Sequence, residues 1–162
     1  MSNQLFNEKM TKIDKKIKLK IATPERLILE EEVDQVSLPT KKGEITILLN
    51  HIPLVAELEF GELLAIKNKE SIPFAIWGGL VEISNNQVIV LADVAEHADD
   101  VLNRFNKIEQ AKKEAEDLMQ KKGDYSEEEY EELLYSYQSQ VARLNVAKKY
   151  KTKKYRKINI NK

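Results

Sequence analysis

"SIPFAIWGGLVEISNNQVIVLAD", residues 71–93, decides the fold. An apolar run ends at Gly78-Gly79, "LVEIS" follows, and Asn85-Asn86 leads into "QVIVLAD". Asparagine tolerates positive φ, so Asn85-Asn86 predicts a two-residue hairpin turn between two short strands. The same grammar extends toward the N-terminus. In "IKLKI" (17–21), Ile17, Leu19 and Ile21 alternate with lysines, the period of a half-buried strand. "TPERLIL" turns at Pro24, "VDQVSLP" stops at Pro39, and "KKG" (41–43) turns into "GEITILLNHIPL" (43–54). "LVAELEF" ends at Gly61 and "ELLAIK" follows. Eight to ten short strands at this spacing predict a sandwich or barrel over 17–97.

After residue 97 the punctuation changes. All four prolines and four of the five glycines lie before residue 80. Val101, Phe105, Ile108, Ala111, Ala115 and Leu118 recur at helical spacing, as do Tyr130, Leu134, Tyr137, Val141 and Leu144. Between the two runs, Gly123 suits a helix C-cap, and Ser126 with Glu129 suits a capping box. So short a connection makes the two helices antiparallel. The expected class is α+β: an N-terminal antiparallel β-sandwich of about ten strands, then an antiparallel two-helix hairpin over 98–149. A basic, frayed extension (1–16) and a basic tail (150–162) flank them.

Composition narrows the chemistry. The 162 residues carry 26 Lys and Arg against 27 Asp and Glu, and no cysteine, which excludes disulfides and thiolate metal sites. No apolar stretch approaches the roughly 20 residues of a membrane span, and the polar N-terminus lacks the apolar core of a signal peptide, so a cytoplasmic protein is expected. His51 and His97 stand in no metal-ligand spacing, and no nucleophile elbow, phosphate loop or dinucleotide fingerprint is present. The acidic runs read as solvated faces. A binding or structural role is expected, with no catalytic residue, no metal and no cofactor.

Several spaced motifs then point one way: Gly43-Glu44, His51-Ile52-Pro53-Leu54, Gly78-Gly79-Leu80-Val81-Glu82-Ile83, and the closing "VARLNVAKK" (141–149). Together they resemble the epsilon subunit of bacterial F-type ATP synthases over roughly residues 17–149. The resemblance implies a non-catalytic stalk subunit that binds the gamma subunit and the ring of c subunits. It implies a peripheral place on the cytoplasmic face of the plasma membrane, with no direct insertion. It implies that Glu44 and His51 contact the ring. This chain has Thr46, Leu49 and Asn50 where the family usually has Gly, Pro and Gly. It also implies a hairpin that either folds onto the sandwich or extends along gamma, meets the alpha and beta subunits and blocks ATP hydrolysis.

Some family members bind ATP through an Asp-x-x-Arg motif at the start of the first helix. Here "DDVLNRFNKIEQA" places Asn103 three residues after Asp100, with Arg104 next, so the motif is broken and no ATP site is expected. Asp99 and Asp100 suit N-terminal capping instead. The last acidic residue is Glu132, and Arg143, Lys148 and Lys149 begin a basic end. The resemblance makes that end a regulatory contact with an acidic segment of the beta subunit. The rival reading is a nucleic-acid-binding module whose tail uses Tyr150 and Tyr155 among its cations. The near-neutral whole chain argues against it, and no nucleic-acid partner is expected.

Overall fold

The computed structural model describes residues 16–121 and 123–158. Ten strands come first: β1 (Ile17–Ala22), β2 (Leu27–Val33), β3 (Gln35–Thr40), β4 (Gly43–Ile47), β5 (Leu54–Glu57), β6 (Gly61–Lys67), β7 (Glu70–Trp77), β8 (Leu80–Ser84), β9 (Gln87–Leu91) and β10 (Val94–His97). Helices α1 (Ala98–Asn103), α2 (Phe105–Gln120) and α3 (Glu127–Tyr150) follow. The strands form two five-stranded sheets, ordered β2-β1-β9-β8-β5 and β10-β7-β6-β3-β4, whose inner faces make one apolar core. Every pairing is antiparallel except β1 with β9, which run parallel. This is the expected sandwich followed by helices. The extension expected over 1–16 lies, but for Lys16, outside the described residues.

Turn chemistry places the strands as expected at two points. Asn85 and Asn86 have φ of 49° and 58° between the paired Ser84 and Gln87. Such a turn matches the strand twist, and only residues that tolerate positive φ fit it. Gly79, at φ 85°, lies so close to β9 that a Cβ there would meet the Leu91 carbonyl oxygen at 1.9 Å. The expected stop at Pro39 is not where β3 ends. The strand runs on to Thr40, because Pro39 lies past the β6 ladder, which covers only Gln35 to Ser37, so its missing N–H breaks no bond there.

The helical half departs from its sequence reading in three places. The first helix is broken at Arg104 (φ −110°, ψ 14°) into α1 and α2. The C-cap of α2 is Lys121 in extended conformation, and Gly123 is not left-handed. Ser126 and Glu129 do form the capping box of α3. The buried side of α3 is rotated from the expected stripe: Ser139, Ala142, Leu144, Val146, Ala147 and Tyr150 are buried, whereas Tyr130 is 46% exposed. The reason is that α3 packs on two neighbours, α2 and the outer face of β6 and β7, and alanines on the sheet side permit close approach.

Candidate functional site

β4 is an edge strand, which places Glu44 and His51 on one border of the sandwich. The structure does not gather them into one point. Glu44 is exposed near the start of β4, beside the Lys41-Lys42 turn, where the Lys41 N–H donates to the Glu57 carbonyl. His51 lies past the other end, in a turn closed by its own N–H to the Leu48 carbonyl (3.2 Å). Between them runs about 10 Å of strand, at about 3.3 Å per residue, and then the turn. Asn50 takes a left-handed conformation (φ 64°), its N–H donates to Asn86 Oδ1 (2.6 Å), and the Asn86 amide donates back to Asn50 Oδ1 (3.3 Å). That reciprocal clamp pins the turn to the β8–β9 hairpin and leaves Leu48 and Ile52 in solvent, 54% and 75% exposed. The His51 ring lies 2.7 Å, through Nδ1, from the Ile52 carbonyl.

The other expected group, Arg143, Lys148 and Lys149, sits near the end of α3 over the second sheet. Arg143 donates twice to the Glu96 carboxylate of β10, from Nε (2.8 Å) and Nη2 (3.1 Å), and its guanidinium stacks 4.7 Å above the Trp77 ring. Lys149 reaches Glu62 of β6 at 2.6 Å, and the Tyr150 hydroxyl donates to the same carboxylate. Lys148 is exposed and makes no ion pair among the described residues. Burial opposes the charge of Glu96, but Arg143 and Arg104 outweigh it and hold the carboxyl below its ordinary value. Trp77 completes the contact: its indole N–H donates to the Tyr135 hydroxyl (2.8 Å) and Phe60 stacks on it (5.9 Å). Sequence reasoning found the cations and missed Trp77, Glu62 and Glu96. One signal was available. "SIPFAIW" is apolar without alternation, the mark of a strand covered on both faces.

The broken motif is likewise committed to the fold. Arg104 gives Nη2 to Glu96 (3.1 Å) and Nε to the Asp100 backbone carbonyl (3.3 Å), so it does not face the Asp100 carboxylate as a ligand pair would. The cap of α1 is His97, whose Nδ1 accepts from the Asp99 N–H (3.2 Å); Asp99 and Asp100 lie in the first turn. His97 is buried, and burial lowers its pKa although Asp99 pulls the other way. Its other nitrogen meets the Arg156 carbonyl at 3.0 Å, so the ring is neutral with its proton on Nε2. Tyr150 and Tyr155, which the nucleic-acid reading would use, stack edge-on against each other (5.7 Å) rather than project into solvent.

The first sheet carries a further feature. In register across it, Leu27 faces Ala22, Ala22 faces Leu91, and Leu91 faces Leu80. All point outward, and Leu27, Leu91 and Leu80 are 49%, 49% and 39% exposed. The helices pack on the opposite sheet and leave this row bare.

Comparisons with known proteins bear on what such surfaces serve. Residues 16–98 match the family model described as "ATP synthase, Delta/Epsilon chain, beta-sandwich domain". The chain is 47% identical over 103 residues to the ATP synthase epsilon chain of Herpetosiphon aurantiacus, covering 64% of this chain and 74% of that one. It is 48% identical over 99 residues to that of Chloroflexus aggregans, covering 61% and 70%. Among solved structures, a chain of the Euglena gracilis mitochondrial ATP synthase, OSCP/F1/c-ring, superposes with a TM-score of 0.67 at 22% identity over 78% of each chain, a likeness of fold.

Proposed function

The chain belongs to the ATP synthase delta/epsilon family and is a non-catalytic stalk subunit of that complex; we propose that its sandwich joins the gamma subunit to the ring of c subunits. Gamma takes the outer face of the first sheet, and the border carrying Glu44 and His51 lies along the ring. The observation that carries this is the bare row of Leu27, Leu91 and Leu80. Contiguous apolar surface on a sheet face marks a binding partner. The ring-side border offers a carboxylate, an imidazole, the exposed Leu48 between them and the exposed Ile52 just past His51, a line of contacts rather than one point. No helix among the described residues is long and apolar enough to cross a membrane, and we place the chain peripherally, on the cytoplasmic face.

Binding to purified gamma tests this. The full chain is expected to co-elute with gamma, and Leu91→Glu to weaken the complex about 10-fold or more, since burying an unpaired carboxylate costs upward of 1–3 kcal/mol. Cysteines placed at 44 and at 51 are both expected to cross-link to the polar loop of the c subunit. Separate elution of the wild-type chain and gamma sinks the reading, as does cross-linking from neither position.

We assign no nucleotide to this chain, because Arg104 is engaged by Glu96 and its neighbour in the motif is Asn103. Calorimetry with ATP is expected to show no micromolar binding. A micromolar dissociation constant that is lost in Arg104→Ala overturns the assignment.

The hairpin is read as a brake on ATP hydrolysis that is released in the docked state described above. Arg143, Lys148 and Lys149 are its contact with the alpha and beta subunits when it extends. Two of these three cations hold the docked state as well, through Glu96 and Glu62, so docking and extension compete for the same charges.

A further inference from the structure

We propose that residues 151–158 are a strap that ties α3 to the sandwich and opposes extension of the hairpin. After Tyr150 the chain reaches one strand of each sheet, β7 and β2. The Arg156 N–H donates to the Ser71 carbonyl at the head of β7 (2.7 Å), and the Arg156 guanidinium grips Glu31 of β2 through Nη1 (2.7 Å) and Nη2 (2.6 Å). Glu31 also receives Lys67 of β6 at 2.8 Å. The Arg156 carbonyl accepts from buried His97, the Tyr155 hydroxyl donates to Asp99, and Ile158 packs against the sandwich core. One short segment thus holds β2, β7, the α1 cap and the core at once.

The mechanical consequence follows from chain length. Six residue steps separate Tyr150 from Arg156, and a fully stretched chain spans at most about 3.3–3.6 Å per residue. With Arg156 held, the end of α3 moves no more than about 20 Å from its anchor. An extension of the hairpin that carries the end of α3 farther than this requires the strap to let go. The bidentate pair is the strong element, because a guanidinium matches a carboxylate in two parallel charge-assisted bonds. Burial raises the pKa of Glu31, but Arg156 and Lys67 outweigh it and keep the carboxyl ionised below its ordinary range. A neutral His97 supplies the second hold, with its Nε2 proton fixed by the α1 cap on Nδ1.

This inference rests on the docked-and-extended reading for its consequence, and on the contacts alone for its existence. Amide hydrogen exchange on the full chain separates the two. In Arg156→Ala, and in a chain ended after Lys151, the α3 amides from Val141 to Tyr150 are expected to exchange about tenfold faster or more, by loss of a charge-assisted bidentate bond. Amides of β8 and β9 are expected to keep their wild-type rates, which shows that the sandwich remains folded. Lys153→Ala, at an exposed position of the strap, is expected to change nothing. Unchanged α3 exchange in both Arg156→Ala and the shortened chain overturns the strap. ATP hydrolysis by the reconstituted complex is the second measurement. If α3 exchange quickens and hydrolysis stays the same, the strap stands and the brake falls. If hydrolysis drops in both variants with quickened exchange, both readings stand.

Discussion

Trp77→Ala is expected to lower stability by about 3–5 kcal/mol, the range for deleting a buried large aromatic side chain. Trp77 is 2% exposed and sits where sheet and helices meet. Phe60 stacks on its ring, the Arg143 guanidinium lies over it, and its N–H holds Tyr135 of α3. The substitution removes a stack, a cation–π contact and a hydrogen bond together, and it leaves Arg143 over a void. The inner core of the sandwich is lined by other side chains, so the loss falls chiefly on docking of the helices. Trp77→Phe keeps an aromatic face and loses the N–H, and it is expected to lose only about 0.5–1.5 kcal/mol. Thermal melting followed by circular dichroism, with limited proteolysis of the helices, reads both. At roughly 2–4 °C per kcal/mol for a chain of this size, the alanine variant melts about 10 °C lower. A fall smaller than that of Trp77→Phe, with helices as protease-resistant as in the wild type, overturns the assignment of Trp77 as the clamp.

The same residue shows what sequence could and could not tell. The sandwich was legible because its signals are local. Ile17, Leu19 and Ile21 alternate, Asn85-Asn86 demands positive φ, and Gly78-Gly79 separates two runs. The capping box at Ser126 and Glu129 spans three residues and was equally plain. The contacts that dock α3 are not local. Trp77 and Tyr135 are 58 positions apart, Arg143 and Glu96 are 47 apart, and Lys149 and Glu62 are 87 apart. Nothing in a helix's own periodicity says that it will have two neighbours, and that is why the stripe from Tyr130 to Leu144 was rotated from the buried side. The break at Arg104 is also tertiary, since Glu96 draws that guanidinium back to β10. The strap is the extreme case: Arg156 and Glu31 are 125 positions apart, and a lysine-rich tail gives no sign of them.

Ending the chain after Ala98 is expected to leave the complex assembled and to raise its ATP hydrolysis several-fold, while Glu96→Gln is expected to lower hydrolysis. On the proposed brake, the two changes act on opposite sides of one equilibrium between docked and extended hairpin. Truncation removes the helices, so no extended form remains to block hydrolysis, and the outer row of Leu27, Leu91 and Leu80 is untouched. Glu96→Gln keeps every cation of α3 but takes away the carboxylate that holds Arg143 and Arg104 in the docked form. The freed guanidinium of Arg143 is then available to the extended form. Losing the charge-assisted bonds of this half-buried pair, in which Glu96 is 18% and Arg143 16% exposed, costs about 1.5–3 kcal/mol. A shift of about 5.5 kcal/mol would carry a two-state equilibrium from 1:99 to 99:1, so this substitution alone moves up to about half of that distance. Neutralising Arg143, Lys148 and Lys149 together is the informative contrast. It weakens docking and extension at once, and its net effect is expected to be smaller than that of either other change. Salt separates the terms, because screening weakens the exposed contact of Lys148 more than the half-buried pair of Arg143. Hydrolysis assays on complexes reconstituted with each variant decide the matter. If truncation leaves the rate unchanged, the helices are a buttress of the sandwich; if Glu96→Gln raises the rate, docking through Arg143 is not what keeps the brake off.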